Sequence, residues 1–273
     1  MKPPIPVIVC GALGRMGRRI IEAVLANQAL ELVGAVERPD CPELGQDLGP
    51  LMGGPPKGLS LSGHLAQAAS KAKTKARLYI DFTTPEAVMD NLAQAQDLGL
   101  AAVIGTTGLD QAQKKSLSQA AEKMPILWSP NMSLGVNLML KVAQTMAQSL
   151  GPAYDIEIIE AHHRLKKDAP SGTALKLHEL VAQARNLDPA ASMITGRTGL
   201  VGARSDKEIG VLAVRGGDIV GDHTVLFAGP GERLELTHRA HSRETFVSGT
   251  LRAIFWLDGQ KPGLYSLSDL LDL

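Results

Sequence analysis

A short apolar run at residues 6–10, rich in β-branched side chains, leads directly into Gly11-Ala-Leu-Gly-Arg-Met-Gly17. A stretch with Ile20, Ala23 and Val24 at helical spacing follows. A buried strand, a tight glycine turn and a helix in that order open a βαβ unit. The next parallel strand can be reached only through such a crossover. The alternation continues. Strands are predicted at 30–36, 77–82, 101–104 and 126–128, and helices at 65–72, 85–98 and 110–123. Thr84-Pro85 starts one helix with proline where the first turn tolerates it, and Asp110 can cap another. Residues 38–63, rich in Pro and Gly, read mainly as loop. This half of the chain therefore predicts a parallel sheet.

The pattern changes after Asn131. A long helix is expected at 136–150, a strand at 154–161, and a helix from Ser171, as N-cap, to about 184. Strands at 209–214, 223–228 and 234–240 are separated by the turns Arg215-Gly-Gly-Asp and Gly229-Pro-Gly-Glu. Consecutive strands with tight turns favour a mostly antiparallel or mixed sheet. Residues 243–257 read as a further helix, whose placement the patterning leaves open. The fold class is α/β: a Rossmann-like dinucleotide-binding domain, then an α+β domain on a mixed or antiparallel sheet.

Composition excludes several classes. Hydrophobic residues are 44% of 273, enough for a sizeable core. Lys plus Arg and Asp plus Glu are both 28, which argues against a nucleic-acid or anionic-membrane partner. Cys10 and Cys41 can build neither a disulfide framework nor a metal site. No apolar run approaches the ~18 residues of a membrane span. The N-terminal apolar run is too short for a signal peptide, so a cytoplasmic protein is expected.

The glycine turn carries the first chemistry. A pyrophosphate is held by unpaired N–H groups and the positive end of a helix, and glycines let the backbone approach it. The spacing is Gly-x-x-Gly-x-x-Gly, with Leu13 where the commoner fingerprint has a small residue, so an ordinary tight turn would use the same glycines. Glu37 ends the second strand twenty positions after Gly17 and can accept hydrogen bonds from a ribose. Arg38 follows and can pair with a 2′-phosphate. Use of either NADH or NADPH is therefore expected. Gly105, Thr106 and Thr107, and Ser129, Pro130, Asn131 and Met132, follow predicted strands at their carboxyl ends. Open α/β sheets bind ligands there, and plain connecting loops would occupy the same places.

The second chemistry lies in residues 160–174, Glu-Ala-His-His-Arg-Leu-Lys-Lys-Asp-Ala-Pro-Ser-Gly-Thr-Ala. His162, Arg164 and Lys166 share a face if the chain is extended there. Histidine is the commonest general acid or base, and lysine can orient an anion or donate a proton. Ser171-Gly172-Thr173 opens a helix and suits a carboxylate. A solvated basic loop would have the same composition. Spacing does not choose between Lys166 and Lys167.

With both elements in one chain, the sequence closely resembles the 4-hydroxy-tetrahydrodipicolinate reductase (dihydrodipicolinate reductase) family of the diaminopimelate route to lysine. The resemblance runs through the glycine turn, Glu37-Arg38, Asp81-Phe-Thr, Gly105-Thr-Thr-Gly, Asn131, residues 157–174, Arg215-Gly-Gly-Asp-Ile-Val-Gly-Asp-His223 and Phe255-Trp-Leu. Thr84 stands where some relatives carry arginine. The resemblance implies a dinucleotide-binding domain over 1–131 plus 243–273 and a substrate-binding and oligomerisation domain over 132–242. It implies that His162 donates and accepts the proton, that Lys166 is a proton donor, and that His163, Gly172 and Thr173 hold the carboxylates of a cyclic imine. It assigns the dinucleotide to Gly11, Ala12, Leu13, Gly14, Arg15 and Met16, to Glu37 and Arg38, and to the two later loops, 105–107 and 129–132. It implies a homotetramer formed through the sheets of the second domain, and requires no metal. An aspartate dehydrogenase on the same scaffold and a non-catalytic NADPH sensor are the competing readings.

Overall fold

A computed structural model describes residues 3–273, which divide into two compact units, residues 3–132 with 246–272, and residues 133–245 with 273. The first unit begins with β1 (Ile5–Cys10), α1 (Arg15–Ala26) and β2 (Leu30–Val36). A short helix α2 (Leu48–Leu51) and a two-residue strand β3 (Leu61–Ser62) follow, inside the stretch expected to be loop. Then come α3 (Leu65–Lys71), β4 (Leu78–Asp81), α4 (Pro85–Leu98), β5 (Ala101–Ile104), α5 (Gln111–Ala121) and β6 (Pro125–Trp128). Local chemistry sets several boundaries. Thr84 accepts from the Ala87 N–H to cap α4, which ends at Gly99 in the left-handed conformation (φ 67°). Asp110 and Gln113 form a reciprocal capping box on α5.

The second unit contains α6 (Leu134–Leu150), β7 (Asp155–His162), α7 (Gly172–Ala184), α8 (Pro189–Ser192), β8 (Met193–Ile194), β9 (Ile209–Arg215), β10 (Gly221–Gly229) and β11 (Glu232–Ala240). Helix α9 (Glu244–Leu257) leads the chain back to the first unit, with β12 (Gly263–Tyr265) and α10 (Leu267–Leu271).

The first sheet has order β12-β6-β5-β4-β1-β2-β3, with every pairing parallel. All six residues of β1 are buried, as a central parallel strand covered on both faces requires. The order reverses beside β1, and the carboxyl ends of β1, β2, β5 and β6 carry the segments predicted to bind a ligand.

The second sheet, β11-β10-β7-β9-β8, is mixed. β7 pairs antiparallel with β10 and parallel with β9. Its core joins Ile156, Ile158, Val211, Val225 and Phe227 to Met139, Leu177 and Val181 of α6 and α7. Residues alternating with these, such as Ile159 and Val214, are 39% and 49% exposed.

Candidate active site

In the first unit the glycine turn is pinned by β2. The N–H groups of Gly11 and Ala12 both donate to the Val36 carbonyl, at 2.9 and 3.0 Å. Gly11 has φ +76°, and a Cβ there would meet the Phe82 carbonyl at 2.9 Å. A Cβ on Gly17 would fall 1.9 Å from the Gly11 carbonyl oxygen, so α1 can pack on the turn only without a side chain there. Gly14 caps α1 with no side-chain acceptor, and the first turn holds no acid. The helix thus presents its N-terminal amides without a competing carboxylate, and Arg15 is exposed at the same end. Leu13 and Met16 are half-buried.

Glu37 reaches this turn. One carboxylate oxygen accepts from the Leu13 N–H at 3.0 Å and the other from the Arg38 N–H at 3.1 Å. Arg38 is exposed and pairs with Asp40. Uncapped helix amides, a turn that excludes Cβ atoms and an acid tied to the turn fit a dinucleotide.

Of the other predicted loops, 105–107 closes on a residue the sequence reading did not select. Asp81, at the end of β4, is 0% exposed. It accepts from the Thr83 N–H and hydroxyl (3.0 and 2.6 Å), the Thr106 hydroxyl (3.0 Å) and the Asn91 amide (2.8 Å). Burial pushes its carboxyl upward, against those hydrogen bonds. Gly105 packs flat on Phe82, since a Cβ would lie 2.2 Å from the ring. The Trp128 indole donates to the Thr106 carbonyl and the Ser129 hydroxyl to that of Asn131, which ties the 105–107 and 129–132 loops down. Thr107 and Pro130 are exposed. Ala12 and Met132 are buried, so they can offer a ligand only their main chain.

In the second unit the acid–base segment departs from expectation. The extended conformation stops at His162, and a turn at Arg164 and Leu165 follows. The Arg164 N–H donates to the Gly217 carbonyl and that of Lys166 to the His163 carbonyl. His162, Arg164 and Lys166 therefore do not share a strand face. The turn, rather than strand alternation, sets where Lys166 goes. Arg164 and Leu165 face solvent, while His163 and Lys166 are half-buried. Lys166 Nζ pairs with the Asp168 carboxylate at 2.9 Å, which holds that acid below its ordinary range. Lys167 is exposed.

His162 sits beside Glu160, whose side chain is fully buried. Their Nδ1–Oε2 distance is 2.6 Å. Arg215 grips the same carboxylate with both terminal nitrogens at 2.8 Å, and the Ser171 N–H adds a bond at 3.0 Å. Burial raises the Glu160 pKa, but Arg215, His162 and the Ser171 N–H outweigh it, and the net direction is down. His223, from β10, meets the His162 ring edge-on at 5.2 Å and hydrogen-bonds the Ser171 hydroxyl through Nε2 at 3.1 Å. Burial first, then the neighbouring His162, push its pKa down to about 4, so it is neutral at pH 7. A Cβ on Gly221 would come 3.0 Å from His162 Nε2.

Ser171 caps α7 as expected, accepting from the Ala174 N–H, and Gly172 begins the helix in open space. The buried Nδ1 of His163 has no hydrogen-bond partner. Sequence reading placed His162, His163, Lys166, Gly172 and Thr173 in one segment, but missed the roles of Glu160, Arg215 and His223. The available signal was the i, i+2 spacing of Glu160 and His162 on a strand.

No group of three or more His, Cys, Asp or Glu side chains among the described residues could hold a metal, and both cysteines are free thiols. No helix among those residues is long and apolar enough to cross a membrane.

Comparison with known proteins bears on both halves. Residues 5–132 match the family model for the N-terminus of dihydrodipicolinate reductase, and residues 135–271 match that for its C-terminus. A 4-hydroxy-tetrahydrodipicolinate reductase of Thiobacillus denitrificans is 49% identical over 267 residues, covering 98% of both chains. One from Pseudomonas fluorescens is 49% identical over 268 residues at the same coverage. Among solved structures, a dipicolinate-bound dihydrodipicolinate reductase from Paenisporosarcina sp. TG-14 superposes with a TM-score of 0.79 and 28% identity, covering 97% of this chain and 99% of the other. An amine dehydrogenase of Mycobacterium smegmatis, at 13% identity and a TM-score of 0.61, shares the fold alone. Matched in both halves and nearly half identical to reductases along its length, the chain belongs to the dihydrodipicolinate reductase family.

Proposed function

We propose that the chain reduces 4-hydroxy-tetrahydrodipicolinate to tetrahydrodipicolinate with NADH or NADPH, as its near relatives are named for doing. The observation that carries this reading is the pairing, within one family-matched chain, of an uncapped glycine-turn helix with a buried Glu160–His162 pair. The Gly11–Met16 turn, Glu37 and Arg38 hold the adenosine end and pyrophosphate; the 105–107 and 129–132 loops hold the nicotinamide end. When bound, the dinucleotide supplies the hydride that arrives at ring carbon 4.

The protein's own residues position the anion and move protons. The helix amides at Gly172 and Thr173 and the unpartnered His163 Nδ1, acting as an N–H donor, hold the two carboxylates of the cyclic imine. Lys166 gives a proton as the 4-hydroxyl leaves as water, while the ring carbon between that position and the imine releases one to solvent, which leaves the conjugated imine. Once carbon 4 is reduced, His162 gives a proton to the enamine at that same ring carbon, so the net uptake is one hydride and one proton. The domain roles follow: nucleotide on residues 1–131 and 243–273, substrate on 132–242. The reading includes a homotetramer joined through the sheet face that carries Ile159 and Val214, and a cytoplasmic location. Ile159→Lys should then yield a smaller species by sedimentation; an unchanged mass would reject that interface.

The test is oxidation of NADH and NADPH by purified protein, with the imine made in situ from pyruvate and aspartate semialdehyde. Turnover of aspartate instead would select the dehydrogenase reading, and nucleotide binding without turnover the sensor. His162→Gln should lower kcat by about 10²- to 10⁴-fold, the range for a general acid. Lys166→Ala should act similarly and Lys167→Ala mildly; the reverse ranking would reassign the lysine.

A further inference from the structure

We infer that Glu160 and Arg215 are positioning residues for this reaction, one guanidinium setting both His162 and Lys166. The inference rests on the roles proposed for those two residues. It starts from the short Nδ1–Oε2 contact of 2.6 Å. An ionised carboxylate only accepts, so the proton between the two groups belongs to the ring and sits on Nδ1. Nε2, which faces Gly221, is left as the nitrogen that gains and loses the transferable proton.

A fully buried carboxylate needs its charge answered. Arg215 does this through two parallel bonds, the strong geometry for an arginine–carboxylate pair. Strand pairing delivers it. Arg215 ends β9 and lies directly opposite His162 in the parallel ladder with β7. The same guanidinium donates through Nη2 to the Asp168 carbonyl at 2.7 Å, and the Asp168 carboxylate holds Lys166 Nζ at 2.9 Å. The two proposed proton donors thus hang from one rigid fork.

Charge gives a second reason for the fork. A dicarboxylate would be repelled by a lone Glu160 anion. Neutralised by Arg215, Glu160 keeps its hold on the His162 ring without facing the substrate as net negative charge. The other ring against His162 is His223 from β10, and the remaining charged groups of the cluster are Lys166, which acts on His223, and Asp168, which holds Lys166. None of these offers a second acceptor to Nδ1 among the contacts seen.

The experiment uses the full chain with ¹⁵N-labelled histidine. The ring nitrogens of His162 are assigned by NMR in the unaltered protein, Glu160→Gln and Glu160→Asp, alongside kcat with the imine. The unaltered protein should show one neutral tautomer, with its proton on Nδ1; without the carboxylate the ring should no longer be held in that tautomer. In Glu160→Gln, kcat should fall on the order of 10- to 100-fold, with the KM for NADPH unchanged. Glu160→Asp, which keeps the charge, should restore the Nδ1–H tautomer. An unchanged His162 tautomer in Glu160→Gln, or a loss confined to KM, would overturn the assignment. Should Glu160→Gln not fold, Arg215→Lys carries the test. A single-point cation cannot hold both acceptors, so kcat should fall at least tenfold, and unchanged kcat would overturn the inference. A change of His162 tautomer in Glu160→Gln, in a protein that does not turn over the imine, would keep the positioning role and remove the reductase reading.

Discussion

Each unit buries one carboxylate completely at the carboxyl end of a strand, and the two are satisfied in opposite ways. Asp81 in the first unit meets only neutral donors, from Thr83, Asn91 and Thr106. Burial wins there, and its pKa moves up. Glu160 in the second unit meets a guanidinium and an imidazole, and its pKa moves down. Neutral donors make a static knot that fixes loops. Charged donors make an acid that stays ionised and can act on a neighbouring ring. The surroundings match: the first site is made mostly of backbone amides and glycines, the second of ionisable side chains.

The sharpest way to break this contrast is to remove one donor from each acid. Arg215→Met leaves Glu160 buried without its cation and should cost on the order of 3 kcal/mol, whereas Asn91→Leu removes a neutral donor from Asp81 and should cost about 1–2 kcal/mol. Urea unfolding measures both. Equal costs would erase the distinction. Glu160→Leu combined with Arg215→Met should recover most of the loss.

Glycines sharpen the contrast between backbone and side chain. Gly17→Ala places a Cβ against the Gly11 carbonyl and should cost about 1–3 kcal/mol while weakening NADPH binding. Gly172→Ala meets nothing within 4 Å at the start of α7 and should stabilise by up to about 1 kcal/mol. If the Gly172 amide contacts the imine, the KM for that substrate rises alone; thermal melts and initial rates separate the two effects.

The smallest effect is the pH dependence of stability, about 1.4 kcal/mol for each tenfold difference in proton affinity between the folded and unfolded chain. Glu160 has a lowered folded value. Its contribution is therefore present above the ordinary carboxylate pKa and lost as pH falls through the folded one. Asp81 has a raised value. The folded state takes up its proton first, and acidification through that value stabilises. On acidification, the stability of the unaltered protein relative to Asp81→Asn should therefore rise, and relative to Glu160→Gln should fall. Thermal melts from pH 7 to 3 would show both, and parallel trends would refute the contrast.

Much of the fold is legible in residue periodicity. The strand–turn–helix of 5–26, the caps at Thr84, Asp110 and Ser171, and the four longer strands of the second sheet, but not the two-residue β8, stand near where side-chain spacing puts them. β12 is not legible. Its three residues carry no period, and its partner β6 lies far away in sequence. The path after His162 is misread as extended because exposed Leu165 and Arg164 leave no pattern, while the bond from Arg164 to Gly217 depends on a distant turn. Glu160 escapes notice for a similar reason. It is one of three acids in β7, with Asp155 and Glu157, and resembles a solvent-facing residue until Arg215 arrives from β9.

That arrival has a consequence for how the chain finds its fold. Slipping β9 by one residue along β7 would turn Arg215 to the opposite face and abandon an ionised carboxylate in an apolar layer. Mispaired ladders thus carry an electrostatic penalty on top of misplaced hydrophobic side chains, and the ion pair proofreads strand alignment before any ligand is met.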